Sequence, residues 1–391
     1  MKSYDVIIAG GGIIGASIAF DLAQHGLSVI LLDRQEPGLE ASWAAAGMLS
    51  LAPDAPDAAP LVPFAKESHK LYPQFVSALE NALGESIEFH QCGALEVYFG
   101  TRCEVERDAR IAELRSLGIT AEPKSVSEAN RAEPLLNAAA QDAVWIPDEA
   151  YVDPRALTQA TLRAAKKSGA EIRAGSEVIS IFIEHNRCEG VMAADSNVMN
   201  AGRIEMRAGE KIYSKRIIVA AGSFTGNIGW MESYAPTHPV RGQMVAMKCT
   251  ASALRCILRS ENGYVVPRKD GRIVAGSTLE NAGFEKRVTP GGIGKILRAA
   301  IELVPALENA AITETWSGLR PGTPDHLPII GPTDIEGLFI ATGHYRNGIL
   351  LAPATARCIS EWVREGKSSI DVEKFSPMRF ATAARGAKFQ T

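Results

Sequence analysis

Residues 4–33 read YDVIIAGGGIIGASIAFDLAQHGLSVILLD. The run from Tyr4 to Ala9 is short, apolar and β-branched, the pattern of a strand buried on both faces in a parallel sheet. Glycines 10, 11, 12 and 15 follow, and Ala16 to His25 then carries helical spacing, with Ala19, Leu22 and Ala23 on one face. Gly26 suits a helix C-terminus. Leu27 to Leu32 reads as a second buried strand ending at Asp33. Strand, glycine turn, helix, strand and acid together predict a dinucleotide-binding unit. Gly10 allows the tight turn, Gly12 lets the backbone approach a pyrophosphate, and Gly15 lets helix pack on strand. The helix N-terminus, opening at Ile13 and Ile14, presents free N–H groups to phosphate. Asp33 is spaced to accept from ribose hydroxyls.

Downstream, residues 40–49 read EASWAAAGML. A nicotinamide-type fold would continue with a helix and further repeats. Here small residues follow the second strand directly. They let backbone N–H groups reach a second phosphate and a flat ring, or else form a plain alanine-rich helix. Near the far end, residues 315–325 read TWSGLRPGTPD, a strand is predicted at Leu338–Ala341, a turn GHYRNG at 343–348, and a helix from Ile349 to Val363. Strand, glycine turn and helix thus recur, aiming a second helix N-terminus at a ligand. A flavin needs that feature, because its reduced ring carries negative charge that a helix dipole stabilises. Arg320 and Arg346 stand in this glycine- and proline-rich region. A guanidinium fork suits a carboxylate, although most arginines form ordinary surface pairs.

The 391 residues are too many for one simple core. The middle divides accordingly. A helix from about Arg155 to Ser168, strands at Ala170–Arg173, Glu177–Glu184 and Ile217–Ala220, and Gly222 continue the first unit. Segments Glu88–Tyr98, Met244–Lys248, Gly263–Pro267 and Gly271–Gly276 read as longer antiparallel strands. The expected fold is α/β: a Rossmann-like FAD-binding domain (1–85, 150–225 and 315–391) with an inserted antiparallel-sheet substrate domain (86–149 and 226–314). The Pro/Ala-rich stretch 51–63 reads as a surface loop or a lid.

The net charge of −4, with no basic block, argues against nucleic acid and against a charged membrane surface. Six scattered cysteines without a CxxC pair argue against a disulfide framework and against zinc. No metal is expected, since His90, His238, His326 and His344 lack partners at useful spacing. Lys2 and the apolar residues after it invite a signal-peptide reading, but Asp5 and four glycines interrupt them. No apolar run reaches a membrane span. A cytoplasmic location is expected; oligomeric state is left open, including a homo-oligomer.

These motifs resemble the D-amino-acid oxidase family of flavoproteins, and within it the glycine oxidases, including the thiamine-biosynthesis type. The similarity runs nearly end to end. It is strongest at Gly10–Gly15, Ser42–Met48, YVVPR at 264–268, SGLRPGT at 317–323 and Gly343–Pro353. The resemblance implies noncovalent FAD, because no cysteine lies between Cys256 and Cys358. It also implies a small amino-acid or amine substrate and dioxygen as partner. Arg320 would bind the substrate carboxylate, Tyr264 would assist there, and Arg346 would lie by the flavin. The cofactor would be held by Gly10, Gly12, Ile13, Ile14, Gly15, Asp33, Arg34, Ala41, Ser42, Ala46, Gly47 and Met48. Val178 and Gly222 would join them, with His344, Tyr345, Arg346, Asn347, Gly348, Ile349 and Leu350 against the ring. The expected reaction moves a hydride from the substrate α-carbon to the flavin, and the imine hydrolyses to an α-keto acid. A dehydrogenase of the same fold, using another acceptor, is the alternative. Two residues depart from the family pattern: Asn262 stands where a histidine is expected, and Asp33 replaces the commoner glutamate.

Overall fold

The computed structural model describes residues 3–52, 56–100, 103–195, 209–249 and 254–381. Its centre is a six-stranded sheet. Five strands are parallel, in the order Leu338–Thr342, Ile217–Val219, Val6–Ala9, Val29–Leu32, Glu171–Arg173. Ile329–Pro332 adds an antiparallel edge beside Leu338–Thr342. Alternation along the first strand divides two cores. Val6 and Ile8 face the helices Ile13–Gln24, Val62–Leu83, Pro154–Lys167 and Gly348–Glu365. Ile7 and Ala9 face a three-stranded antiparallel meander, Ser176–Glu184, Arg187–Asp195 and Glu210–Tyr213. Both faces are covered, and this is why the strands read as unbroken apolar runs.

A second sheet of eight strands runs Ala311–Gly322, His238–Lys248, Arg272–Gly276, Gly263–Pro267, Ile257–Ser260, Ala94–Tyr98, Asp142–Ile146, Glu122–Lys124. Helix Pro290–Leu303 packs on one face. The other face meets the small residues Ala44 and Ala46. The strand Ala311–Gly322 pairs along its length with His238–Lys248, so residue 315, the expected domain boundary, falls inside it.

Two segments differ from the sequence reading. Glu88–Tyr98 is not one strand. Phe89–His90 pairs with Ala150–Val152 in a small separate sheet, and only Ala94–Tyr98 enters the eight-stranded one. Between them Gly93 is left-handed (φ 69°), with the Trp145 ring over its α-carbon. Ala94–Tyr98 also pairs in parallel with Ile257–Ser260, so the sheet is not wholly antiparallel. The stretch 51–63, whose residues 53–55 lie outside the described residues, ends in a short 3-10 turn, Pro56–Leu61. It leads straight into helix Val62–Leu83, with Leu61, Val62 and Phe64 buried. That helix was not read from the sequence. Pro63 hides it, although proline is favoured in a first helical turn.

Candidate active site

The parallel strands Val6–Ala9, Val29–Leu32, Ile217–Val219 and Leu338–Thr342 end on a common side, where strand order reverses around the first of them. A ligand crevice is expected there. A cavity of about 1010 Å³ opens at that place, lined by Gly10, Asp33, Ala220 and Thr342, and it extends across the face of the eight-stranded sheet.

The glycine turn is built by close contact. A β-carbon on Gly15 would lie 2.0 Å from the Gly10 carbonyl oxygen, so turn and helix pack as only glycine permits. Gly12 ends the turn and lines the cavity. No side chain of its own caps helix Ile13–Gln24. Instead Ser42, from the small-residue segment, accepts from the Ile13 N–H at 2.9 Å. Asp33 is half-buried. One carboxylate oxygen accepts from the Gly11 N–H at 2.7 Å, the other from the Gln35 N–H at 3.0 Å. Burial pushes its carboxyl up, outweighing those two bonds. Asp33 thus braces the turn as well as facing the cavity. Arg34 lies over the Phe224 ring at 3.4 Å.

Segment 40–49 is neither a long helix nor a bare loop. A single turn, Ala41–Ala44, leads through an extended Ala45 into strand Met48–Leu49. Three donors from elsewhere fix its carbonyls. Arg155 Nε donates to Trp43 O at 3.2 Å, Trp316 Nε1 to Ala44 O at 3.1 Å, and buried Arg268 donates to Ala46 O. Burial lowers the Arg268 guanidinium pKa. Sequence marks none of the three for this role; Arg268 closes the stretch YVVPR at 264–268, and nothing there shows which carbonyl it reaches.

On the eight-stranded sheet, register aligns Trp316, Met244, Gly276, Tyr264, Arg259 and Glu96 in a single file across six strands. Residues level with one another on adjacent strands share a face, and all but Trp316 and Gly276 line the cavity. Tyr264 directs its hydroxyl to the Met244 sulfur at 3.6 Å. Arg259 is tied to Glu96, to Glu149 and to Ser50 Oγ, each at 3.0 Å. Arg320 lies four residues along the same strand from Trp316, opposite Val240, with its guanidinium over Gly242, where a β-carbon would lie 2.2 Å from Nη1. Its Nη2 donates to Ser277 Oγ at 2.8 Å and its Nη1 to Thr278 O at 3.2 Å. Asn262 is exposed and donates to Glu302 at 3.0 Å, both at the cavity lip.

The second helix N-terminus, Gly348–Glu365, opens on the same cavity with no side-chain cap on its first turn. His344 is buried against Thr355 Oγ1 at 3.0 Å, and burial lowers its pKa to about 3, so it is neutral. The structure therefore brings Arg320, Tyr264 and Arg346 into one cavity with Gly10, Gly12, Ile13, Ile14, Asp33, Arg34, Ala41, Ser42, Ala46, Gly47, Met48, Val178, Gly222 and the segment from His344 to Ile349. Gly15 and Leu350 stand behind the lining, Leu350 in the helix core. Among the described residues no group of side chains could hold a metal ion, and no helix is long and apolar enough to cross a membrane. The donor set suits FAD: a glycine cradle for pyrophosphate, a half-buried acid beside it, and a second helix N-terminus for the ring.

The family described as DAO, FAD dependent oxidoreductase, matches residues 5–362. The chain is 30% identical to glycine oxidase of Pseudomonas putida, covering 96% of this chain and 98% of that protein. It is 34% identical to the bifunctional protein ThiO/ThiG of Trichormus variabilis over 97% of its own length, but spans only 56% of that relative. The crystal structure of glycine oxidase from Geobacillus kaustophilus superposes with a TM-score of 0.88 at 30% identity, covering 97% of this chain and 99% of the other. With a glycine-braced turn, a second open helix and these likenesses in agreement, the chain belongs to the DAO family of FAD-dependent oxidoreductases.

Proposed function

We propose that the protein oxidises glycine or a small amino acid or amine, such as sarcosine or D-alanine, to an imine that hydrolyses to an α-keto acid. Dioxygen is the acceptor and hydrogen peroxide the second product. The observation that carries this reading is Arg320, a guanidinium that donates to Ser277 Oγ and Thr278 O on the cavity wall that also bears Tyr264. Bound FAD supplies the two-electron acceptor. The protein's own residues orient: the Arg320 fork binds the substrate carboxylate and Tyr264 adds a hydrogen bond. Arg346 borders the ring end of the cavity. The likeness to glycine oxidases supports the substrate class.

No acid or base residue is assigned to the α-carbon, so rate enhancement rests on placement and charge complementarity. The substrate panel glycine, sarcosine, D-alanine and ethylamine, read as hydrogen peroxide and on an oxygen electrode, tests this reading. Peroxide from the amino acids supports it. Dye reduction without oxygen uptake would instead favour a dehydrogenase with another acceptor. Turnover of none of the four sinks both.

Two results concern the cofactor. The purified protein is expected to be yellow and to release intact FAD on heat or acid denaturation. Colour that stays with the precipitate refutes noncovalent binding. Asp33→Ala is expected to weaken FAD binding by about tenfold, near 1.4 kcal/mol. It removes both the ribose acceptor and the brace on the Gly11 N–H. Titration of the apoprotein with FAD measures it, and an unchanged Kd removes Asp33 from the site.

A further inference from the structure

Helix Gly348–Glu365 contains Pro353. A proline has no N–H, so the carbonyl four residues back, that of Ile349, loses its helical donor. Ile349 and Leu350 are buried, and a buried carbonyl left unpaired costs free energy. The neighbouring helix Val62–Leu83 meets this gap. Tyr72 Oη donates to Ile349 O at 2.9 Å. Ser68 Oγ donates to Leu350 O at 2.6 Å and accepts from the Ala354 N–H at 3.2 Å, bridging the next rung. Both side chains are fully buried, and both hydroxyls lie one turn apart on one face of their helix. Burial keeps the Tyr72 phenol protonated, hence always a donor. Gly348 and Ile349, in the turn so repaired, line the cavity.

We infer that Tyr72 and Ser68 are positioning residues for the flavin: their hydroxyls complete the backbone ladder opened at Pro353 and so fix the first turn of the helix that faces the ring. This rests on the reading that FAD places its ring at that turn. The turn's N–H groups and partial positive charge favour the reduced, anionic ring over the oxidised one. If the turn is loosened, that preference falls.

The test uses FAD-loaded Tyr72→Phe and Ser68→Ala. Each should stay folded and yellow. The ratio of affinities for reduced over oxidised flavin should drop five- to tenfold. At about 30 mV per tenfold for a two-electron couple, the midpoint potential falls by about 20–30 mV. Affinity for sulfite, which adds to the ring and leaves it negatively charged, should fall in parallel. The KM for an amino-acid substrate should not move, because Arg320 is untouched. Pro353→Ala supplies the rescue. It restores an N–H to pair with Ile349 O, so Tyr72→Phe made in that background should cost little.

An unchanged potential and sulfite affinity in FAD-loaded Tyr72→Phe and Ser68→Ala would overturn the inference. So would an equal loss from Tyr72→Phe with and without Pro353. If Tyr72→Phe alone fails to fold, Ser68→Ala and the Pro353→Ala double variant still decide. A parent protein that binds no FAD would overturn the cofactor reading itself, which separates the two failures.

Discussion

Arg320→Ala is expected to raise KM for amino-acid substrates by roughly 30-fold to several-thousand-fold, with FAD still bound. A bidentate guanidinium–carboxylate pair in a partly desolvated site is strong, and losing one partner costs about 2–5 kcal/mol. The side chain is preorganised by Ser277 Oγ and Thr278 O, so little ordering cost offsets the pairing. Arg320→Lys should recover only part of the loss, since a point charge cannot form the fork. Ethylamine, which has no carboxylate, should be nearly indifferent. Gly242→Ala provides an independent check, because its new methyl group would displace the guanidinium lying 2.2 Å away. Steady-state kinetics of the three variants decide the matter. If Arg320→Ala leaves glycine and sarcosine kinetics within a few-fold of the parent, the anchor lies elsewhere and Arg346 is the next candidate.

Gly12→Val is expected to abolish FAD binding while the protein still folds. Gly12 has ordinary extended backbone angles, and the nearest atom to an added β-carbon is Ser42 Oγ at 3.1 Å. The fold tolerates a side chain there, but its branches enter the space for the pyrophosphate and crowd the Ser42–Ile13 bond. Gly15→Val is the contrasting variant. Its β-carbon would meet the Gly10 carbonyl oxygen at 2.0 Å, so it should fail to fold. Flavin absorbance after gel filtration, with circular dichroism on the same samples, separates the outcomes. A Gly12→Val protein with a normal flavin spectrum refutes the assignment.

The parallel half of the fold is legible in the sequence because its signals are local. Val6–Ala9, Val29–Leu32 and Leu338–Thr342 are each flanked by their own turn glycines, and each strand's burial on both faces shows as an apolar run. The second sheet is less legible. Pairing Ala94–Tyr98 with Ile257–Ser260, in parallel and far apart in sequence, leaves no mark in either segment. Helix Val62–Leu83 was missed despite a usable signal: Ala65, Ser68, Tyr72, Val76 and Leu79 recur at spacings of three and four and are all buried. Pro63 and Pro73 masked it, along with a polar serine on the core face. In the site, residues that present backbone to the cavity could be picked out by composition. Residues that hold that backbone could not. Arg155, Arg268 and Trp316 reach the carbonyls of 43, 46 and 44 through tertiary packing, and an arginine or tryptophan looks the same in sequence whatever it reaches.

The single file of Trp316, Met244, Gly276, Tyr264, Arg259 and Glu96 has a consequence for biogenesis. Its members are drawn from six strands between Glu96 and Trp316, so no early portion of the nascent chain contains them together. The glycine turn near residue 10 is made before all of them, with its braces Asp33 and Ser42 soon after. The file closes only after Trp316 has been made, and helix Gly348–Glu365 comes later still. Such long-range pairing is slow, because loop closure precedes its reward. A chain stalled before Trp316 therefore carries the residues of the nucleotide-binding turn without a complete substrate wall or the ring-facing helix.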